Sequence, residues 1–189
     1  MKPLLGQLEE YTPWNEQEER DRMVLLSMLR SGWDLWTRKN ETAHFTASAW
    51  VTDPTRTKVL MCYHNIYHSW SWLGGHADGD RDLLAVALRE VGEESGLKSV
   101  RPVSEALFSL EILTVDGHEK RGQYVSSHLH LNVTYLLEAD AQESLVVKPD
   151  ENRAVGWFEL AQAVEASTEP WFRERIYAKL NAKLRARTR

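Results

Sequence analysis

Three glutamates within one stretch of five residues are the strongest candidates for chemistry in this sequence. Glu90, Glu93 and Glu94 are spaced i, i+3 and i+4, so a helix would place them side by side on one flank. Two carboxylates about 6 Å apart repel each other by roughly 3 kcal/mol at an effective dielectric constant of about 20. A hard divalent cation such as Mg²⁺ relieves this repulsion, because it prefers carboxylate oxygens and keeps other positions for water and phosphates. The alternative is an acidic, solvated helix face that holds no ion.

The helix that carries the glutamates is predicted from hydrophobic periodicity. Its apolar positions fall on one face at 100° per residue: Leu83, Leu84, Ala87, Leu88 and Val91. The glutamates lie on the neighbouring flank, and Glu94 borders the apolar stripe. We expect Glu94 to be a surface carboxylate whose removal costs little stability.

A β-sheet is expected around this helix. Residues 45–52 alternate with period two, and the turn signal at 53–55 separates them from the apolar run 59–63, which predicts an antiparallel hairpin. Two long strands are expected at 107–115 and 124–137, joined through Asp116-Gly117 and Gly122. A short strand is expected at 154–158.

Helices are expected at both ends of the chain. Asn15 as N-cap, with Glu18 three residues later, predicts the start of an N-terminal helix that ends at Ser31-Gly32. The basic segment 169–189 is expected to be helical and to dock through an apolar stripe of Trp171, Phe172, Ile176 and Leu180. Its arginines are interpreted as a solvated face rather than as a phosphate site.

The wider segment 75–97 resembles the Nudix box: glycine, five residues, glutamate, seven residues, then Arg-Glu-apolar-x-Glu-Glu-x-Gly-apolar. The positions that match are Gly75, Arg89, Glu90, Val91, Glu93, Glu94, Gly96 and Leu97. Arg81 departs from the pattern, because it stands between Asp80 and Asp82 where the first glutamate is expected. The resemblance covers roughly residues 43–165.

The resemblance implies an α/β/α sandwich with a mixed sheet and additional N-terminal and C-terminal helices. We interpret residues 1–189 as one domain, with an N-terminal helical extension at 1–42, the Nudix core at 43–165 and a C-terminal helix at 166–189. The implied function is hydrolysis of a diphosphate linkage in a nucleoside diphosphate-X type of small molecule, by attack of a metal-activated water on phosphorus.

The resemblance also assigns residues to roles. Glu90, Glu93 and Glu94 become the ligands of Mg²⁺, or alternatively of Mn²⁺, and the backbone carbonyl of Gly75 joins them. Arg89 is expected to orient a glutamate. The general base is either a glutamate of the box helix or Glu151, for which a merely solvated acidic turn after Pro149 is the alternative.

Three further residues are candidates for contact with the substrate. His128 and His130 lie two apart on a predicted strand and therefore point to one face. A two-histidine metal site would need further ligands nearby, so we interpret them as polar strand residues. Trp72 precedes the box and is a candidate for base stacking, with core packing as the alternative. His76 is interpreted as a hydrogen-bonding loop residue.

Composition restricts the class of protein and of partner. The 189 residues carry 42% hydrophobic side chains and a net charge of −5, which is typical of a globular protein and argues against a bulk nucleic-acid binder. No apolar stretch approaches the roughly 20 residues that span a bilayer, so a cytoplasmic protein without a membrane partner is expected. The sequence does not indicate an oligomeric state.

Two other functions are compatible with the sequence. An isopentenyl diphosphate isomerase-like enzyme would need a suitably placed cysteine, and Cys62 is the only cysteine in the sequence. It lies in an apolar run and is interpreted as a buried strand residue. A binding module that has lost catalysis is the other alternative, favoured only by Arg81.

Overall fold

A computed structural model describes residues 2–120 and 122–187. The chain begins with helices α1 (Leu4–Glu10) and α2 (Glu16–Arg30), followed by strands β1 (Ala43–Thr52), β2 (Lys58–His64), β3 (Ser69–Ser71) and β4 (Leu73–His76). After helix α3 (Leu83–Ser95) come β5 (Arg101–Pro102), β6 (Ser109–Val115), β7 (His118–Lys120), β8 (Gln123–Val125), β9 (His128–Glu138) and β10 (Asn152–Glu159). Helix α4 (Leu160–Ala166), a π-helical segment (Phe172–Tyr177) and α5 (Ala178–Arg187) follow.

The sheet is mixed, and its central pair is parallel. Strand β1 runs parallel to β9 along its whole length, from Ala43 opposite Leu129 to Thr52 opposite Glu138. β6 and β5 pair antiparallel with β9, whereas β4 pairs antiparallel with β1. On the other side, β2 pairs with β10 and β3. All ten residues of β1 are buried, so its polar side faces protein as well.

Helices cover both faces of the sheet, which confirms the predicted α/β/α sandwich. One apolar cluster joins α3 to one face of the central strands through residues such as Val91, Phe45 and Val133. A second cluster packs the C-terminal segment against the other face through residues such as Trp50 and Tyr177. No helix within the described parts of the chain is long and apolar enough to cross a bilayer.

The predicted β-elements are present with two differences. The turn at Asp53 forms because its carboxylate accepts hydrogen bonds from the backbone N–H groups of Thr57 and Lys58. The hairpin that follows is short, however, since β1 and β2 have only Thr52 opposite Val59 before they take other partners. The single strand expected at 124–137 is interrupted: β8 forms a separate small hairpin with β7 before β9 begins.

The N-terminal helix begins as predicted. The side chain of Asn15 accepts a hydrogen bond from the backbone N–H of Glu18 at 3.0 Å, and Ser31 is the C-cap. Glu18 itself is fully buried. Its carboxylate lies 2.7 Å from Lys183 Nζ and 3.3 Å from Lys179 Nζ, and both lysines belong to α5.

The C-terminal segment docks as expected, but the predicted stripe is wrong at one position. Phe172, Ile176 and Leu180 pack on the second apolar cluster, whereas Trp171 is 57% exposed. Lys179 also reaches Glu111 of β6 at 2.9 Å, so the lysines of this basic helix are buried in ion pairs rather than solvated. Residues 188 and 189 of the predicted helix lie outside the described residues.

Candidate active site on helix α3

Helix α3 is fixed at both ends by the residues that the sequence provides for this purpose. The carboxylate of Asp82 accepts a hydrogen bond from the backbone N–H of Ala85 at 3.0 Å and caps the N-terminus. Gly96 ends the helix with a φ of +75°, in the left-handed region that favours glycine. Within α3 the spacing of the three glutamates places them on one flank, as the sequence predicted.

Glu90 packs directly on the backbone of β4. A Cβ atom built on Gly75 would lie 2.4 Å from Glu90 Cδ and 2.6 Å from its Oε2, so the carboxylate fills the space above this glycine. Burial, followed by the charge of Glu93, raises the pKa of Glu90. The structure thus brings together two residues that lie 15 positions apart in the sequence.

Glu94 is buried, which corrects the expectation of a surface carboxylate. Only 4% of the residue is exposed, and its Oε2 accepts a hydrogen bond from the backbone N–H of Gly74 at 2.9 Å. Burial raises the pKa of Glu94 to about 8, and the charges of Glu90 and Glu151 act in the same direction. The hydrogen bond from Gly74 shows that this flank of α3 packs on β4 rather than facing solvent.

Glu93 and Glu151 meet at one lysine. Lys148 Nζ lies 3.0 Å from Glu93 Oε2 and 3.1 Å from Glu151 Oε2. This contact ties the loop before β10 to the exposed edge of α3, and Glu151 contributes to the raised pKa of both Glu90 and Glu94. Sequence reasoning missed Lys148, since the contact spans 55 residues and no local pattern indicates it.

The departure at Arg81 leaves the acidic flank intact. Arg81 is exposed, and its guanidinium carbon lies 5.4 Å from the centre of the Trp36 ring. Arg89 instead pairs with Asp80 and with Glu90, each at 3.5 Å. Asp80 therefore supplies the carboxylate near Arg89, and Arg89 also contacts Glu90.

The donor set fits a hard divalent cation. The groups on this flank of α3 are carboxylates, together with a glycine whose missing side chain leaves the space that Glu90 fills. Burial and mutual repulsion disfavour the charged form of Glu90 and Glu94, and a cation would offset both effects. Oxygen donors of this kind suit Mg²⁺ or Mn²⁺.

Comparison with protein-family models gives a match to the NUDIX domain over residues 42–180. The chain belongs to the NUDIX family. Membership in this family supports a hydrolase that acts on pyrophosphate bonds. A search of curated protein sequences found no significant match.

Solved structures share the NUDIX fold at low sequence identity. An Ap4A hydrolase from C. elegans is 18% identical with a TM-score of 0.54, and the match covers 76% of this chain and 96% of that one. A NUDIX family hydrolase from Clostridium perfringens is 19% identical with a TM-score of 0.51, covering 76% and 97%. The E. coli dihydroneopterin triphosphate pyrophosphohydrolase is 15% identical with a TM-score of 0.52, covering 71% and 92%.

The other candidate residues lie in two different environments. Trp72 is 8% exposed and packs edge-on against Phe172 and Tyr177, which favours core packing over base stacking. His128 and His130 point to one face of β9, as expected, with their Nε2 atoms 3.2 Å apart. His76 of the NUDIX box joins them, because its Nε2 is 3.2 Å from His130 Nε2.

Proposed function

We propose that this NUDIX protein is a Mg²⁺-dependent hydrolase that cleaves a diphosphate linkage in a nucleoside diphosphate-X type of substrate. The observation that carries the proposal is the packing of the Glu90 carboxylate on the Gly75 backbone. Glu94 lies buried one turn further along α3, and Lys148 draws Glu151 toward the same flank. A binding surface without catalysis would not need to bury a carboxylate against neighbours of the same charge.

Glu90, Glu93, Glu94 and the backbone carbonyl of Gly75 are the groups that would hold the metal. When bound, Mg²⁺ supplies charge neutralisation on the phosphate oxygens and lowers the pKa of a coordinated water. The hydrogen bond from Gly74 keeps the Glu94 side chain on the flank that faces β4. Arg89 restrains Glu90 from the solvent side.

Glu151 is our candidate for the general base that removes a proton from the attacking water. Its carboxylate is 42% exposed, so water and substrate can reach it, and Lys148 holds it near the box glutamates. The alternative base is Glu90 or Glu94 on the box helix. Removing the base should reduce turnover, whereas removing a metal ligand should weaken metal binding.

The burial of Cys62 supports a hydrolase over an isomerase-like enzyme. Cys62 is 1% exposed, burial raises the pKa of its thiol, and its Sγ lies 3.7 Å from the carbonyl oxygen of Trp72. A thiol in this position has the character of a core residue rather than of a reactive one.

We also propose that the terminal segments and the sheet form one domain. Glu18 of α2, Glu111 of β6 and Lys179 of α5 share a buried ion cluster. Buried charges in this cluster need their partners, so separating the segments would leave them uncompensated.

The test is hydrolysis of a panel of diphosphate compounds with excess Mg²⁺ and with a chelator. The panel includes nucleoside diphosphate sugars, diadenosine tetraphosphate and dihydroneopterin triphosphate, because solved structures of similar fold come from enzymes named for the last two. We expect Mg²⁺-dependent release of a phosphorylated product from at least one compound. A folded protein that binds a panel member but hydrolyses none would replace the proposal with the binding module, and conversion of isopentenyl diphosphate would replace it with the isomerase.

A further inference from the structure

Four histidines converge on the face of the sheet opposite the glutamates. His44 lies on β1, His76 ends β4, and His128 and His130 begin β9. The parallel register places His44 opposite His130, and the antiparallel register places His76 opposite Thr46, next to them. Ligating atoms of His44, His76 and His130 all lie within 4.8 Å of one another.

The nitrogen atoms in this histidine cluster face each other rather than solvent. His130 Nε2 lies 3.2 Å from His76 Nε2 and 3.2 Å from His128 Nε2. His128 Nδ1 is 2.8 Å from the carbonyl oxygen of Ser126, and since a carbonyl only accepts, this nitrogen carries the proton. The lone pair of a neutral His128 therefore points from Nε2 toward His130.

His44 presents a similar arrangement at the buried side of the cluster. Its Nδ1–H donates to the carbonyl oxygen of Asn40 at 3.1 Å, which leaves the lone pair on Nε2. The residue is 4% exposed, and within the described residues this Nε2 has no hydrogen-bond partner. The His44 ring is centred 5.2 Å from the rings of both His76 and His130. A buried acceptor without a partner is costly, so a ligand at this position would stabilise the fold.

We propose that His44, His76 and His130 form a binding site for a borderline divalent transition-metal ion such as Zn²⁺, with His128 as an adjacent fourth donor. Zn–N bonds of about 2.0–2.1 Å in tetrahedral geometry place the donor nitrogens about 3.3 Å apart. The observed Nε2 separations of 3.2 Å are close to that edge length. The backbone carbonyls of Asn40 and Ser126 fix the tautomers of their histidines, as carbonyls behind zinc-bound histidines do.

The donors of the cluster and its access to solvent also suit a cation. His130 Nε2 lies 3.2 Å from both His76 Nε2 and His128 Nε2, so an ion at these atoms would meet several nitrogen donors at once. His76, His128 and His130 are each half-buried, so an ion can enter from solvent.

This site is separate from the carboxylate site in both position and chemistry. Successive residues of a strand point to opposite faces, so His76 lies across the sheet from Gly75 and the Glu90 carboxylate. Imidazole nitrogens suit Zn²⁺, Cu²⁺ or Ni²⁺, whereas carboxylates and waters suit Mg²⁺. Excess Mg²⁺ therefore occupies the glutamates while leaving the histidines available.

The experiment measures Zn²⁺ binding by equilibrium dialysis in excess Mg²⁺, for the native protein and three variants. His76→Asn and His130→Asn each remove one proposed ligand. His68→Asn is the matched control, because His68 is exposed outside the cluster and its φ of +50° suits asparagine. We expect one tightly bound Zn²⁺ per chain in the native protein and in His68→Asn. Loss of a ligand should weaken binding by more than the about 10–100-fold typical of losing a supporting residue.

Two further readouts make the outcome unambiguous. Co²⁺ in place of Zn²⁺ should give the intense visible bands of a tetrahedral nitrogen site in the native protein and in His68→Asn only. Thermal melts of the metal-free variants establish that they fold, and Zn²⁺ should raise Tm only where the site is intact. If His130→Asn does not fold, the half-buried His76→Asn carries the comparison. Native-like Zn²⁺ affinity in a folded ligand variant, or no tight Zn²⁺ binding by the native protein, would overturn the proposal.

Discussion

The carboxylate of Glu90 occupies the space that a side chain on Gly75 would need, with Glu90 Cδ 2.4 Å from the position of a Cβ. Gly75→Ala should therefore displace the carboxylate and reduce kcat/KM at least about tenfold, or ~1.4 kcal/mol. The end of a flexible side chain can move aside, so we expect little change in Tm. Steady-state kinetics in excess Mg²⁺ and thermal melts measure the two effects.

Gly92→Ala is the matched control for this prediction. Gly92 lies within the same helix, but a Cβ on it would meet only the carbonyl oxygen of Leu97 at 3.6 Å. The substitution should leave activity unchanged and stabilise α3 by about 0.5–1 kcal/mol. Equal activity losses in the two alanine variants would show that the Gly75 contact is not specific.

Glu94→Gln should reduce turnover by orders of magnitude while the protein remains folded. The amide oxygen of glutamine can still accept the hydrogen bond from Gly74, but the neutral group no longer binds a divalent cation. Glu165→Gln, on the exposed face of α4, is the control. Mg²⁺-dependent activity close to that of the control would remove Glu94 from the site.

Glu151→Gln distinguishes a base from a ligand. If Glu151 is the base, the variant should lose turnover far more than it loses Mg²⁺ affinity. Kinetics at saturating Mg²⁺, compared with a Mg²⁺ titration, separate these quantities, and Asp150→Asn is the control on the same turn. A parallel loss of both would make Glu151 a ligand instead.

Arg81→Glu restores the Nudix pattern at its one departure. Arg81 is exposed beside Trp36, and Asp80 already contacts Arg89, so we expect catalytic efficiency to change by less than about tenfold, or roughly 1.4 kcal/mol. Steady-state kinetics of both proteins on the same substrate provide the comparison. An inert native protein that gains activity with Arg81→Glu would mean that the natural chain is a binding module.

The buried ion cluster predicts a specific response to acid. Burial alone would raise the pKa of Glu18, but Lys179 and Lys183 outweigh it and lower the pKa below its ordinary value. Tyr11 donates to the same carboxylate, and Glu111 is the second acid of the cluster. The stability that ionised Glu18 provides is therefore present above a pH of about 4.3, its ordinary pKa, and is lost as pH falls through the lowered value.

Glu18→Gln should cost about 3–5 kcal/mol at neutral pH, because buried lysines lose their partner. The difference in free energy of unfolding between the variant and the native protein should become smaller as pH falls below about 4.3. Urea unfolding at several pH values measures this difference. Glu16→Gln, exposed on the first turn of α2, should follow the native curve. A constant difference across this pH range would contradict the assignment.

Local features of the sequence were sufficient to predict α3. Its apolar period was enough to indicate a helix, so the glutamate spacing translated directly into a shared flank. The start of α2 was predictable for the same reason, since Asn15 and Glu18 are neighbours in sequence. The burial of Glu94 was not, because a helical wheel shows the flank but not the strand that packs on it.

The features that the sequence did not predict depend on contacts between distant segments. The two-residue period of a strand was enough to place His128 and His130 on one face. The position of His44 beside them depends on the parallel pairing of β1 with β9. No turn specifies such a pairing, since parallel strands are joined by long connections. Lys148 and the lysines of α5 were missed for the same reason: a charged side chain is expected in solvent until its buried partner is known.

The ion cluster also constrains the order in which this protein can fold during synthesis. Glu18 and Lys183 are separated by 165 residues, so the glutamate leaves the ribosome long before its partner exists. The NUDIX-domain match, 42–180, contains neither residue. A nascent chain that has completed β9 and β10 still has to keep Glu18 in water, because burying it against the sheet before α5 is available would leave the charge uncompensated. We therefore expect Glu18 to become buried only after α5 has been translated.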